Sequence, residues 1–154
     1  MNNKPIISVL LLLTLAFIWG NSLLPGEVSG ALSDAVMDVM NKAAEAAGLG
    51  PGFFTFMADA DGDGEEEPTS HLVRKMAHII EFAVLGGLLT LRLIGVRHRW
   101  KMALAFGVLT AICDETLQLF SQRGSQITDV LIDSCGVLLG LGLLWFLQRK
   151  TNHA

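Results

Sequence analysis

The stretch AICDETLQLF, residues 111–120, begins and ends with apolar residues but carries Asp114, Glu115 and Gln118 between them. It lies inside a hydrophobic segment that is long enough to cross a membrane. A carboxylate at the centre of a transmembrane helix costs roughly 2.5–3.5 kcal/mol on insertion scales. Two adjacent carboxylates and a glutamine one turn later therefore indicate side chains that face a polar site and not lipid.

The composition of the whole chain is that of a membrane protein. Of its 154 residues, 51% are hydrophobic and only 17% are charged, with a mean hydropathy of +0.50. Soluble proteins carry about 25% charged residues. The length predicts one domain, residues 1–154. Cys113 and Cys135 lie in apolar segments, which predicts two small buried residues and neither a disulfide nor a metal pair.

Four hydrophobic stretches are long enough to span a bilayer, which needs about 20 residues of helix. Only short segments join the second stretch to the third and the third to the fourth, and short connections predict antiparallel neighbours. The sequence thus predicts an all-α integral membrane four-helix bundle with antiparallel hairpins and an outer insert, residues 26–70, between the first two helices. The predicted spans are about 5–24, 72–94, 102–121 and 129–147.

The distribution of basic residues predicts how the bundle is oriented, because cytoplasmic loops are enriched in Lys and Arg. With both termini in the cytoplasm, the smaller basic set lies outside: Lys42, Arg74, Lys75 and Arg123. The larger set then lies inside: Lys4, Arg92, Arg97, Arg99, Lys101, Arg149 and Lys150. The bias predicts a multi-pass protein of the cell membrane with both termini in the cytoplasm.

The outer insert contains a helical part and an acidic part. Residues 33–49 place Val36 and Val39 on an apolar stripe, which suits a helix on the membrane surface or one packed over the outer mouth of the bundle. The acidic run 59–67 resembles the start of an EF-hand loop, but its twelfth position is Ser70 and not Glu. A solvated acidic loop is therefore the favoured interpretation.

The charged and amide side chains deep within the spans share both depth and face. At about 1.5 Å per helical residue, they lie in the outer half of each span. Helical spacing puts them on common faces, which predicts a polar pocket, buried in the membrane, that opens to the outer surface. The residues that this pattern assigns to the pocket are Arg74, His78, Glu81, Asp114, Glu115, Gln118, Asp129 and Asp133.

The fourth span continues the face of its two aspartates with glycines. Gly136 and Gly140 follow Asp129 and Asp133 at helical spacing. Small residues in a transmembrane helix let a neighbouring helix approach closely. We therefore expect close helix packing directly beneath the acids.

Three interpretations of the pocket remain open. A structural staple would consist of ion pairs such as Arg74–Glu115 and His78–Glu81 that only fix the helix packing. Intramembrane polar bonds average only about 0.6 kcal/mol, which is less than the cost of placing a carboxylate in the membrane. A binding site would take the polar headgroup of a lipid. In a catalytic or metal site, the ligands or a general base could come from His78, Glu81, Asp114, Glu115 and Asp133. The expected motifs are missing, since there is no HExxH, no histidine pair at ligand spacing and no recognisable serine–histidine arrangement. We predict no metal, no cofactor and no nucleic-acid partner.

The motifs RKMAHIIEFAVLG (74–86), DETLQLFSQR (114–123), DVLIDSCGVLLG (129–140) and WGNSLLPGEVS (19–29) resemble the VanZ-like family of small bacterial membrane proteins. The sequence departs from the family pattern at Phe82, where many relatives have tyrosine, and at Asp133, where asparagine is frequent. It also lacks the common proline before Arg123. The family pattern adds Lys75 and Arg123 to the predicted ligand-binding residues. It also marks His78, Glu81, Asp114, Glu115, Gln118 and Asp129.

The resemblance implies a location in the bacterial inner membrane and a role near cell-envelope lipids, since the family is named for a protein linked to teicoplanin resistance. It implies no established reaction. We predict an anionic lipid or a lipid-linked envelope precursor as the ligand, its phosphate bound by Arg74, Lys75 and Arg123, with an effect on glycopeptide susceptibility. An intramembrane enzyme acting on a lipid headgroup, with or without a metal, is less favoured. The oligomeric state stays open.

Overall fold

The computed structural model describes residues 3–55, 70–121 and 127–151. Within these ranges the structure is all-α and no residue belongs to a strand, so the all-α part of the predicted fold class is confirmed. The arrangement of four transmembrane helices stays a prediction. The long helices are α1 (Lys4–Ser22), α2 (Gly26–Ala46), α3 (Ser70–Arg92), α4 (Arg99–Phe120) and α5 (Ile127–Thr151).

The chain divides into two compact units. The first unit comprises Met1–Leu24 and His78–Ala154, and so contains α1, α4, α5 and the part of α3 that begins at His78. The second unit comprises Pro25–Ala77 and contains α2.

In the part of the chain that the structure describes, three helices are long and apolar enough to cross a membrane: Lys4–Ser22, Arg99–Phe120 and Ile127–Lys150. Large apolar side chains on their surfaces are exposed, including Leu12 at 67% and Leu143 at 61%. Such surfaces suit lipid, which needs no polar covering. Helix α3 has 23 residues but carries more charge, and its role as a fourth span stays a prediction.

Small side chains bring the helices of the first unit close together. A Cβ atom added to Gly136 would lie only 2.6 Å from the carbonyl oxygen of Ile79, and one added to Gly140 would overlap the carbonyl oxygen of Ala83. Helices α3 and α5 are therefore in backbone contact along this face, as the glycine spacing predicted. The buried apolar side chains of this core are Ile18, Phe82, Leu85, Ala103, Ala111, Val137 and Leu141.

Side-chain contacts show which helix ends are neighbours. The Arg99 guanidinium donates to Oε1 of Gln148 at 2.7 Å, so the start of α4 lies beside the end of α5. Arg92 Nε donates to Oγ of Ser8 at 2.9 Å, which places the end of α3 beside the start of α1. The Arg149 guanidinium lies 5.2 Å above the Trp145 ring. Arg92, Arg99 and Arg149 therefore all lie at this end of the unit. Arg99 and Arg149 each contact a side chain of α5.

Two cysteines were predicted to be buried, and that prediction is wrong. Cys113 and Cys135 are both exposed and free. The reason is helix geometry: each thiol precedes a residue that faces the interior, Asp114 on α4 and Gly136 on α5, so its own side chain points outward. A thiol behaves as a small apolar group and is compatible with lipid at such a position.

The second unit confirms the helical part of the insert but extends it. Helix α2 begins at Gly26, seven residues earlier than the apolar pattern indicated. Its Val36 and Val39 are 41% and 66% exposed, whereas Met37 is buried. An exposed apolar stripe is compatible with a helix on the membrane surface. The acidic run 59–67 lies outside the described residues.

Candidate functional site

Polar side chains from four helices meet at one end of the first unit. The residues are those at the end of α1, the middle of α3, the second half of α4 and the first turns of α5. We call the group the polar cluster: Asn21, Ser22, His78, Glu81, Asp114, Glu115, Gln118 and Asp133.

The centre of the polar cluster is buried and hydrogen-bonded. Asp114 is 0% exposed, and Glu115 and Gln118 are each 4% exposed. Ser22 Oγ donates to Asp114 Oδ1 at 2.6 Å. The Gln118 amide donates to Asp114 Oδ2 at 3.1 Å and to Glu115 Oε1 at 2.9 Å. The two carboxylates that the sequence placed at the heart of the site are therefore held in position by donors from α1 and α4.

His78 faces carboxylates from two other helices. Its Nδ1 atom is 3.2 Å from Asp133 Oδ1 and 3.9 Å from Asp114 Oδ2. Its ring lies nearly parallel to that of Phe82, with a centroid distance of 6.4 Å. Only 14% of the side chain is exposed. The imidazole nitrogen Nδ1 therefore faces the carboxylates of Asp114 on α4 and Asp133 on α5.

Glu81 has a different partner from the one the staple interpretation gave it. Its Oε1 atom accepts a hydrogen bond from the Asn21 amide at 3.1 Å, and the short contacts of His78 are with aspartates. Asn21 and Glu81 are both half-buried. They form the accessible rim of the cluster, in contrast to its closed centre.

Helix α5 brings two carboxylate oxygens that have no hydrogen-bond partner among the described residues. Oδ1 of Asp129 and Oδ2 of Asp133 are both buried. Asp133 is 0% exposed as a residue, and Asp129, one turn earlier on the same face, is half-buried. A buried polar atom without a hydrogen bond costs about 1–3 kcal/mol. These atoms mark the side of the cluster where a further donor or cation fits.

The structure brings together most of the site residues predicted from the sequence. Those on α3 from His78 onward, on α4 and on α5 lie in the first unit. Arg74 and Lys75 belong to the second unit, and Arg123 lies outside the described residues. The assignment of these three cations to the site stays a prediction.

Sequence reasoning missed the contribution of α1. Asn21 and Ser22 bind Glu81 and Asp114 of other helices. Ser121, just after α4, donates to the carbonyl oxygen of Ser22 at 2.9 Å and so secures the end of α1. The available signal was the polar pair at the end of an otherwise apolar span, in the motif WGNSLLPGEVS.

An apolar groove lies elsewhere on the first unit. It is open, has a volume of about 350 Å³, and is lined by Trp100, Leu138, Leu141, Gly142 and Trp145. None of these residues has an ionisable side chain, so the groove offers no group for proton transfer. On a membrane protein such a groove suits lipid tails, and the chemistry is concentrated at the polar cluster.

Comparison with known proteins gives one assignment. The model of the VanZ/LLP1 family matches residues 7–148, a range that includes the whole polar cluster. No curated protein and no solved structure matches the chain. The family match extends over most of the sequence and agrees with the apolar helices of the structure. The chain therefore belongs to the VanZ/LLP1 family of membrane proteins.

Proposed function

We propose that the protein binds the polar headgroup of an anionic membrane lipid or a lipid-linked cell-envelope intermediate at the polar cluster. The observation that carries the proposal is a pair of buried oxygens on α5, Asp129 Oδ1 and Asp133 Oδ2, that find no hydrogen-bond partner within residues 3–55, 70–121 and 127–151. A ligand with hydroxyl or amine donors, or one that comes with a cation, would satisfy both atoms. A cluster that served only to fix the helices would gain nothing by leaving them unpaired.

The close packing of α3 against α5 also argues against a purely structural role. Gly136 and Gly140 already let the two backbones touch without any polar bond. Transmembrane helices associate through such van der Waals packing. The insertion cost of the carboxylates, roughly 2.5–3.5 kcal/mol each, therefore needs another explanation, and ligand binding supplies one.

The ligand would meet the rim of the cluster first. Asn21, His78 and Glu81 are half-buried, whereas Asp114 is fully buried and already hydrogen-bonded. The rim offers an amide, an imidazole and a carboxylate, which suit the hydroxyl and amine groups of a headgroup. The proposed partners of its phosphate are the predicted cations Arg74, Lys75 and Arg123, because guanidinium groups bind phosphate with two parallel bonds.

Native mass spectrometry of the full chain, extracted with its membrane lipids, tests the proposal. We expect one phospholipid or polyprenyl phosphate to remain bound to the wild-type protein. Glu81→Gln keeps an acceptor for Asn21 but removes the rim charge, so it should lose the lipid while staying folded. Ser134→Ala is the matched control, since Ser134 bonds only the carbonyl of Val130 in its own helix. Equal lipid retention in wild type and Glu81→Gln would overturn the proposal.

A cellular assay addresses the physiological part of the proposal. We infer that binding an envelope precursor changes susceptibility to a glycopeptide such as teicoplanin. Cells that produce the wild-type protein or Ser134→Ala should differ from cells without it, and cells that produce Glu81→Gln should not. The three proteins must be equally abundant in the membrane. If cells that produce Glu81→Gln behave like cells that produce the wild-type protein, the effect on glycopeptide susceptibility does not depend on the polar cluster.

The proposed orientation places both termini in the cytoplasm and α2 outside, with α3 as a fourth transmembrane helix of the inner membrane. Glu45 of α2 and His98, between α3 and α4, are both exposed and suit labelling. After Cys113 and Cys135 are replaced by alanine, Glu45→Cys should react with an impermeant thiol reagent in intact cells and His98→Cys should not. Labelling of position 98 alone would reverse the orientation.

A further inference from the structure

Three side chains of the polar cluster form a group with the geometry of a metal site. His78 on α3, Asp114 on α4 and Asp133 on α5 each direct one ligand atom toward the others, and these atoms all lie within 4.8 Å of one another. Ligand atoms on a tetrahedral zinc ion are about 3.3 Å apart, given bond lengths near 2.0 Å. The observed separations from His78 Nδ1 are 3.2 Å to Asp133 and 3.9 Å to Asp114.

The second oxygen of Asp133 points to the same conclusion independently. The Asp133 side chain is 1% exposed, and its Oδ2 atom is buried with no hydrogen-bond partner among the described residues. Because this oxygen belongs to the carboxylate whose Oδ1 atom faces His78, it lies at the edge of the same group. A buried carboxylate oxygen without a donor is stabilised by a cation, which can bind one oxygen or both.

Hydrogen bonds hold Asp114 in place, as is common for metal ligands. Ser22 Oγ donates to Asp114 Oδ1 at 2.6 Å, and the Gln118 amide donates to Asp114 Oδ2 at 3.1 Å. The same Oδ2 atom lies 3.9 Å from His78 Nδ1. Because the three ligand atoms lie within 4.8 Å of one another, the widest pair must close by at most about 1.5 Å to reach tetrahedral spacing.

We propose that His78, Asp114 and Asp133 bind one divalent transition-metal ion, of the zinc class, within the polar cluster. An imidazole nitrogen favours zinc or a similar ion over magnesium and calcium, which prefer oxygen ligands alone. A protonated His78 would leave this trio with one negative charge, whereas a divalent ion with neutral His78 balances the two aspartates. Three protein ligands leave a fourth position open to another molecule.

The inference deepens the proposed function and rests on it for the nature of that fourth ligand. An acidic cluster by itself repels a phosphate. A bound divalent ion reverses the local charge and offers a phosphate oxygen a direct bond. The ion would thus explain how a group rich in carboxylates recognises an anionic headgroup.

Metal analysis of the purified, tag-free full chain tests the site. Bound metal is first removed with a chelator, and the protein is then equilibrated with Zn²⁺. Elemental mass spectrometry measures the zinc content per chain. Wild type should hold one Zn²⁺ per chain. His78→Gln and Asp133→Asn should lose it, and Ser22→Ala, which alters only the support of Asp114, should weaken binding by about tenfold.

Two control variants match these changes. Asp38→Asn removes an exposed carboxylate of α2 outside the polar cluster, and His98→Gln removes an exposed histidine. Both should keep the ion. Replacement of Zn²⁺ by Co²⁺ should give the visible absorption of a nitrogen–oxygen site in wild type. If Asp133→Asn fails to fold, this absorption tests whether the proposed ligands bind the ion.

Absence of stoichiometric Zn²⁺ from wild type, full retention by His78→Gln, or loss in His98→Gln would each overturn the proposal. Native mass spectrometry of the same samples keeps the two proposals apart. Lipid retained by a chain that binds no metal contradicts the metal site alone. Metal retained by a chain that binds no lipid contradicts the headgroup proposal alone.

Discussion

Helices α3 and α5 pack against each other in two different ways along their length. Near His78 and Asp133 the space between them is filled by polar side chains at a contact of 3.2 Å. Farther along, Gly140 lies so close to Ala83 that the backbones themselves touch. Both arrangements join the same two helices, but only the first carries the cost of charged groups in a membrane. The glycine contact therefore accounts for association, and the polar contact requires a functional explanation.

The largest effect is expected from Gly140→Ala. An added Cβ atom would overlap the carbonyl oxygen of Ala83, which is backbone and cannot rotate away. The two helices must separate, and we expect a loss of about 3 kcal/mol or more in the free energy of unfolding, at the upper end for overpacking. Thermal unfolding in detergent, followed by circular dichroism, measures the change.

Gly142→Ala is the matched control for this change. Nothing lies within 4 Å of a Cβ atom at position 142, two residues along the same helix. Alanine is a better helix former than glycine by about 1 kcal/mol, so this variant should unfold at the same temperature or slightly higher. Equal destabilisation by both substitutions would show that the contact at Ala83 is not what holds the helices together.

The next effect tests the centre of the polar cluster. Ser22→Ala removes the 2.6 Å hydrogen bond to Asp114 and leaves a buried oxygen with one donor fewer. Intramembrane hydrogen bonds are worth about 0.6–1.7 kcal/mol, so we expect a loss within that range. Thr14→Ala, which removes a hydroxyl bonded to the carbonyl oxygen of Leu10 in the same helix, serves as the control and should change the midpoint little. A Ser22→Ala protein as stable as wild type would mean that α1 is not fastened through this bond.

A smaller effect is expected where glycine faces a side chain in place of backbone. A Cβ atom at Gly107 of α4 would lie 2.6 Å from a methyl group of Val137 on α5, and that methyl group can move. Gly107→Ala should cost about 1 kcal/mol. Val137→Ala makes room, so the double variant should be more stable than the sum of the single changes predicts. Strict additivity would show that the two residues do not interact.

The sequence predicts those features of this arrangement whose pattern lies within a single helix. It does not predict which residues of several helices contact one another. The spacing of Gly136 and Gly140 after Asp133 is visible along one helix, and the close approach it predicted is present. The grouping of His78 with Asp114 and Asp133 involves three helices and has no spacing motif, so from the sequence a metal site was only the less favoured interpretation. The outward direction of Cys113 was also missed, because apolar surroundings in a membrane protein do not distinguish interior from lipid.

Asp129→Asn is expected to change the stability least. The same substitution should distinguish most clearly between an effect on stability and an effect on binding. Asp129 lies in the first turn of α5, and its Oδ1 atom is buried without a partner among the described residues. Asparagine has nearly the same shape, and its side chain suits a helix start as well as aspartate does. Losing the favourable interaction of a carboxylate with the helix N-terminus costs about 0.3–1 kcal/mol, while removing an unpaired buried charge gains a similar amount. We therefore expect an unfolding midpoint close to that of wild type.

Binding should respond differently to the same substitution. If Asp129 accepts a donor from the headgroup, Asp129→Asn should reduce lipid retention in native mass spectrometry although the protein remains folded. Asp38→Asn provides the comparison, because Asp38 is an exposed carboxylate on α2, and it should leave both quantities unchanged. A large stability loss with normal lipid retention would instead make Asp129 part of the scaffold. In that case the residues that hold the helices together would extend one turn closer to the start of α5, as far as Asp129. The binding surface would be limited to the side chains around His78.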